Sequence, residues 1–398
     1  MTPRAVVALG IAQCVNWGVL YYAFAVLVLP LQRELGAATW VVTGAFSLAL
    51  LMSAALAPAI GRWGDRDRGA LVMQAGGLAA AALLAGWTVL PGVLALYIVW
   101  AGLGLCMAAT LYEPAFVIVG RAYEDSGARL RALAAVTLFG GLASTIFLPL
   151  TAFLLESAGW RNAVLVLAGL LAASTVVTRA WVFPHLRASS FAGTQDRPVP
   201  SDASEGAAPP RFAGIATMFA LVSFASAAFT ANLVPALGQR GIAPAAAAAL
   251  GGAMGVMQLP GRALLMNGML ADSPTLLLAI SLGLQAGGLG AVAFAPSTLV
   301  AGGGALVFAL GGGLTTLVRP HLIQTLFGAG SGGYLNGRIA RHQQLARAAG
   351  PLAIGWLASL AGYAAVYAAV AATLAVIALA SQGVLGGIQG LVIEKETI

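Results

Sequence analysis

Two arginines and one glutamate lie where charge is costly. Arg262, Arg347 and Glu113 each stand inside a continuously apolar run of roughly the twenty residues that cross a bilayer core. An arginine at the centre of such a run costs roughly 2.5–3.5 kcal/mol on insertion scales, so it normally faces a cavity or a partner. Gln258 stands one helical turn before Arg262, with Pro260 between them as a kink. Gln343 and Gln344 stand one turn before Arg347. A guanidinium offers a planar fork of donors suited to a carboxylate or a phosphate. Two such forks with amides beside them can bind an organic anion. The bland reading is that each arginine snorkels to the interface or pairs with a buried acid. Glu113, in Leu111-Tyr112-Glu113-Pro114, is the one carboxylate well within a span, so it neutralises at most one of them. Glu113 itself has two readings, as a proton carrier or as a brace for an arginine.

A second polar group lies near the N-terminus. Gln13, Asn16 and Trp17 share one face of the first apolar run, with Tyr21 adjoining it. They are candidate substrate contacts, or they pack between helices. Nucleophilic or metal chemistry finds no footing. No Ser/His, Asp/Asp or His/Glu cluster falls at membrane depth, so no enzyme is expected. Cys14 and Cys106 are in apolar spans, without Cys/His metal spacing, so neither a metal nor a cofactor is expected. His185, His321 and His342 read as surface or interfacial residues.

The elements that must position these groups are membrane helices. Sixty per cent of the residues are apolar and 8% are charged, against about a quarter charged in soluble domains. Too few charges remain to cover a water-soluble surface. Twelve apolar runs can be placed, at about 5–30, 39–60, 70–90, 93–119, 132–155, 162–182, 213–236, 244–267, 274–294, 298–318, 336–358 and 363–386. They are continuously apolar instead of alternating, which predicts helices and not barrel strands. The Pro-, Ser- and Gly-rich stretch 184–211 reads as a flexible linker between a six-helix bundle at 1–183 and another at 212–398. The first run lacks a small-residue cleavage site and reads as an uncleaved span.

Basic residues set the orientation. Even-numbered connections carry Arg62, Arg66 and Arg68, then Arg121, Arg129 and Arg131, whereas odd-numbered ones carry Arg33, Arg161 and Arg240 singly. Arg319 precedes the eleventh run, and Arg338 and Arg341 lie at its start. The positive-inside rule then places both termini and the linker in the cytoplasm. The net charge of +7 is explained this way, and without a basic stripe it gives no support to nucleic-acid binding. A single lysine, Lys395, beside abundant Arg, Ala and Gly points to a GC-rich bacterial genome and hence an inner membrane.

The chain also echoes itself at half its length, as polytopic transporters do. Gly61-Arg62-Trp63-Gly64-Asp65-Arg66 follows the second run and Gly268-Met269-Leu270-Ala271-Asp272 follows the eighth. Gly159-Trp160 and Gly362-Tyr363 repeat at a similar offset, each preceded by a run bearing a proline, Pro149 and Pro351. With six plus six runs and the loop Gly61-x-x-x-Asp65-Arg66, the chain resembles the major facilitator superfamily over nearly its whole length. The resemblance implies an all-α integral membrane protein of twelve transmembrane helices in two pseudo-symmetric halves. It implies a secondary transporter that binds a small molecule, with protons as a possible second cargo, and that works as a monomer in the bilayer. It also implies a conformational latch in which Asp65 pairs with helix-end backbone or basic groups and Arg66 holds a neighbouring helix, with Gly268 and Asp272 as its second copy. A carboxylate there also suits the N-terminus of the third span. After Arg66 the chain departs from the family pattern, reading Asp67-Arg68-Gly69.

Within the superfamily the chain is similar to the branch of monocarboxylate transporters and oxalate:formate antiporters. That branch places an anion-binding arginine in span eight, here Arg262, and its oxalate-type members add a cation in span eleven, here Arg347. Monocarboxylate carriers bear an acid four residues before the span-eight arginine, where this chain has Gln258. The nearest rival is a drug:proton efflux antiporter, which usually bears G-x-x-x-G-P-x-x-G-G in span five. Here that span reads Phe139-Gly140-Gly141-Leu142-Ala143-Ser144-Thr145, without the Gly-Pro pair. A membrane sensor built on the same scaffold would need an output domain, and no segment is large enough to form one. The topology can be checked by labelling. Cysteines introduced within 184–211 should stay unmodified when intact cells meet an impermeant thiol reagent and react after lysis. Labelling from outside would reverse the orientation.

Overall fold

Lipid offers backbone N–H and C=O groups no partner, so a chain of this composition must satisfy them within helices. The computed structural model describes residues 1–182, 212–242, 244–267, 273–327 and 332–396. The predicted linker 184–211, with Gly268, Asp272 and His185, lies outside the described residues. Among the described residues the helices are α1 Pro3–Trp17, α2 Ala23–Leu35, α3 Thr39–Trp63, α4 Gly69–Trp87, α5 Gly92–Thr110, α6 Tyr112–Ala122, α7 Ser126–Gly141 and α8 Ala143–Trp181. They continue with α9 Phe212–Gly238, α10 Pro244–Leu264, α11 Pro274–Ala293, α12 Thr298–Phe327 and α13 Gly332–Glu396. Wider π-helical turns join α1 to α2 at Gly18–Tyr22 and α3 to α4 at Gly64–Arg68.

Nine helical stretches of the described residues are long and apolar enough to cross a membrane. α10 and the start of α13 are not among them. Their polarity explains this, since α10 carries Gln258 and Arg262 and α13 opens with Arg338, Arg341 and Arg347. The described residues gather into two compact units. One comprises Met1–Glu124, Ala135–Ala207 and Ala329–Arg341, and the other Asp125–Ala134, Ala208–Gly328 and His342–Ile398.

α8 and α13 are double helices in sequence, each divided by one glycine. Gly159 has φ 78° and ψ 165°, and Gly362 has φ 78° and ψ 153°. An L side chain is strained at that φ, so glycine is required at both breaks. The next residue is aromatic in each case, and it reaches back to an earlier helix of its own unit. Trp160 Nε1 donates to Glu34 on α2, and the Tyr363 hydroxyl donates to Asn232 Oδ1 on α9 at 3.1 Å. The two echoes in the sequence are thus one local device built twice.

Each unit buries its own core. In the first, Phe24 meets Trp100 edge-on at 4.4 Å and stacks on Phe46 at 4.9 Å, among Leu20, Leu96 and Leu103. At one end of this core Arg161 grips Glu34 through two bonds of 2.5 and 2.9 Å, donates to the Thr88 carbonyl, and lies over the Trp160 ring. In the second, Phe229 packs between Phe308 and Tyr367. Ser281, Gln285 and Thr315 form a buried hydrogen-bonded chain between α11 and α12.

The break between α5 and α6 positions the candidate residues directly. Pro114 has no N–H to give the carbonyl four residues back, that of Thr110. The helix opens at Leu111, whose ψ of −156° is extended. The Thr110 carbonyl accepts from Gln13 Nε2 and Asn16 Nδ2 instead, both at 2.9 Å. Leaving a buried carbonyl without donors costs about 1–3 kcal/mol. Gln13→Leu/Asn16→Leu should therefore lower the melting temperature of the purified protein by several degrees. Adding Pro114→Ala, which returns a backbone donor, should recover part of the loss. Equal melting of wild type and the double variant would show that these amides do not support the break.

Candidate functional site

Asp65 sits in the turn between α3 and α4 and is buried. Its two carboxylate oxygens accept from the backbone N–H groups of Gly333 at 2.8 Å and Tyr334 at 2.7 Å. These are orphan donors of the first turn of α13, where a helix carries partial positive charge. A Cβ on Gly61 would collide with the Gly333 carbonyl, so the glycine of Gly61-x-x-x-Asp65 lets the two backbones meet. Arg121 Nη1 donates to the Asp65 carbonyl at 2.6 Å. The carboxylate thus caps the helix of the eleventh predicted span and not that of the third. Arg66 is exposed. The arginine that grips this turn is Arg121, at the end of α6, which its assignment to a positive-inside connection concealed.

Glu113 lies in the first turn of α6, half-buried, and its Oε2 accepts from Asn336 Nδ2 at 2.7 Å. Asp65 and Glu113 therefore engage successive turns of the same helix start. The Asn336 Oδ1 is buried without a hydrogen-bond partner.

The face proposed on α1 is largely committed. Gln13 and Asn16 are buried and spend amide donors on Thr110, whereas Gln13 Oε1 has no partner. Trp17 is half-buried, with its ring 4.9 Å from Tyr112 and 5.2 Å from Tyr21. Its Nε1 is also buried and unpartnered. An orphan acceptor and an orphan donor thus stand one turn apart on one helix face, and such groups in a folded protein call for a ligand, a water or a strain explanation.

In the second unit, Arg262 is 5% exposed and its Nη2 donates to Gln258 Oε1 at 3.1 Å. The predicted pair is brought together. Arg347 is exposed and Gln344 is half-buried. Gln343 turns elsewhere: its Oε1 accepts from Arg319 Nη1, and its Nε2 donates to Ser223 Oγ at 2.9 Å. Arg319 is 9% exposed, a charge inside the fold that sequence reasoning treated as a flanking residue. α12 runs on to Phe327, past the predicted end of its span at 318, and carries Arg319 with it. His321 is fully buried on the same helix, so it is not a surface residue. His342 is half-buried. Among the described residues no group of three or more His, Cys, Asp or Glu side chains could hold a metal, and Cys14 and Cys106 are buried free thiols.

The family model described as Major Facilitator Superfamily matches residues 9–339. No curated protein matches the chain in sequence. Solved structures resemble it in fold. The human organic anion transporter MFSD10 is similar with a TM-score of 0.75 at 15% identity, covering 96% of this chain and 100% of that one. The proton:xylose symporter XylE gives 0.68 at 13% identity, covering 94% of each chain. The fucose:proton symporter FucP of E. coli gives 0.66 at 14%, covering 94% of this chain and 97% of its own. At these identities the likeness establishes the all-helical fold.

Removing the Asp65 charge tests its hold on α13. In Asp65→Asn, one carboxylate oxygen is replaced by a donor that faces an N–H, so one charge-assisted bond is lost. Such bonds contribute about 1.5–3 kcal/mol. Hydrogen exchange in a peptide covering 332–338 should speed up about tenfold or more. Unchanged exchange there would show that the carboxylate does not secure the helix start.

Proposed function

We propose that this chain, which belongs to the major facilitator superfamily, carries a small organic anion of the carboxylate type across a bacterial inner membrane. That it is a multi-pass membrane transporter of small molecules and not an enzyme follows from the family. The anionic cargo is our reading, and Arg262 carries it. A guanidinium buried on α10, with one nitrogen donating to Gln258, presents a planar fork of donors inside the fold. Such a fork suits a carboxylate through charge-assisted bonds. The orphan polar atoms of Gln13 and Trp17 are candidate contacts for the polar remainder of the substrate, with Tyr21 beside them. Arg347, Gln343 and Gln344 are the second candidate group, and Arg319 joins it through Gln343. The similar structure of MFSD10, an organic anion transporter, is in keeping with this reading.

Transport then proceeds by alternating access of two halves, 1–183 and 212–398, in a monomer whose termini and 184–211 linker are cytoplasmic. Asp65 with Gly61, and Asp272 with Gly268, act as the conformational latch. Glu113 governs gating or proton coupling through its place against α13, whether the cycle is proton-coupled or an exchange.

Ligand-induced thermal stabilisation tests the anionic cargo. Small mono- and dicarboxylates should raise the melting temperature of the wild-type protein, while neutral sugars should not. Arg262→Gln should fold and yet lose about 10- to 100-fold in carboxylate affinity, the equivalent of a hydrogen bond to a charged group at about 1.5–3 kcal/mol. Arg262→Lys keeps the charge without the planar fork and should fall between. If Arg262→Gln responds to carboxylates as wild type does, the arginine is structural and the efflux reading moves ahead.

A further inference from the structure

A cavity of about 280 Å³ lies beside the latch, lined by Arg62, Tyr334, Arg338 and Arg341 over a floor that includes Pro58 and Ala59. All of these residues belong to the first unit. Three guanidiniums share this one cavity. The arrangement is partly organised by Tyr334. Arg62 lies over its ring at 5.1 Å and Arg338 at 5.7 Å, each an attraction between a cation and the ring face. Tyr334 is itself held through its backbone by Asp65. The cations therefore sit on a ring whose position is fixed by the helix cap.

The cavity's depth in the membrane follows from its neighbours. Arg62 lies at the end of the membrane-crossing stretch Val41–Arg66. The next residue, Trp63, is 39% exposed, and tryptophan at the end of a span marks the headgroup layer. Three planar forks at that level match the oxygens of a phosphate group, which they can grip in bidentate fashion.

We propose that this cavity binds the phosphate of an anionic phospholipid headgroup, which bridges Arg62 on α3 to Arg338 and Arg341 on α13. The bound phosphate ties together the same two helices that Asp65 joins, so lipid occupancy and the helix cap reinforce one another. The site is separate from Arg262 and does not depend on the nature of the transported substrate.

The test uses delipidated full-length protein in a neutral detergent, titrated with phosphatidylglycerol, phosphatidylcholine or inorganic phosphate and read by native mass spectrometry and melting temperature. Phosphatidylglycerol should bind at a saturable site and stabilise the protein, and phosphatidylcholine should not compete with it. Each arginine near an anionic headgroup is worth about fivefold in affinity. Arg62→Gln/Arg338→Gln/Arg341→Gln should therefore weaken phosphatidylglycerol binding roughly a hundredfold. The exposed Arg33, outside the cavity, serves as control, and Arg33→Gln should bind as wild type does. Should the Gln triple variant fold poorly, the corresponding triple Lys variant keeps the charge and should show a smaller loss. Wild-type lipid affinity in either triple variant would overturn the site. Saturation by inorganic phosphate that phosphatidylglycerol cannot displace would overturn the lipid as its occupant.

Discussion

In lipid, a backbone polar group left by a helix break has no water to turn to, and the fold is organised around meeting that demand with side chains. The Thr110 carbonyl, deprived of a donor by Pro114, is covered by Gln13 and Asn16. The first N–H groups of α13 are covered by Asp65. Each repair uses a polar side chain from another helix, so each also fixes how two helices meet. A polar residue in a chain with so few of them is thereby given two duties. The same demand explains why several side chains with the chemistry of a binding site are already committed to their own protein.

That double duty sets the limit of what was legible in the sequence. The long apolar helices were readable because apolar length is a local property. The repeated Gly-aromatic pair was readable as an echo, and its structural meaning, a positive φ followed by a reach to an earlier helix of the same unit, fits that reading. Asp65 was identifiable as a helix-capping carboxylate, but the first backbone N–H it accepts from lies 268 residues later. No local pattern names a partner at that distance. Arg262 and Gln258 were found together because both lie on one helix a turn apart. Gln343 was grouped with Arg347 by the same rule, yet it turns to Arg319 on another helix. Neighbours along a helix can be read from spacing. Neighbours across helices cannot.

α10 and the opening of α13, the stretches with the strongest candidate chemistry, are also the ones whose apolarity falls short of the other spans. The same residues cause both facts. A helix that carries Gln258 and Arg262, or three arginines within its first turns, faces a cost that lipid does not repay. Packing and polar partners must therefore hold it in place. α13 receives them from Asp65, from Glu113 on Asn336, and from Arg62 over the ring of Tyr334. The functional candidates thus lie on helices whose stability is borrowed from their surroundings, which is where a change of surroundings has most effect.

The single-residue breaks at Gly159 and Gly362 have a consequence for how the chain enters the membrane. Each joins two helical stretches through one non-helical residue, which leaves no connecting loop to be translocated by itself. The chain itself thereby holds the two flanking helices close, with the aromatic residue set at the joint. An affinity tag or reporter inserted at either glycine would separate helices that have no separate existence, so fusion sites for following biogenesis belong at other connections.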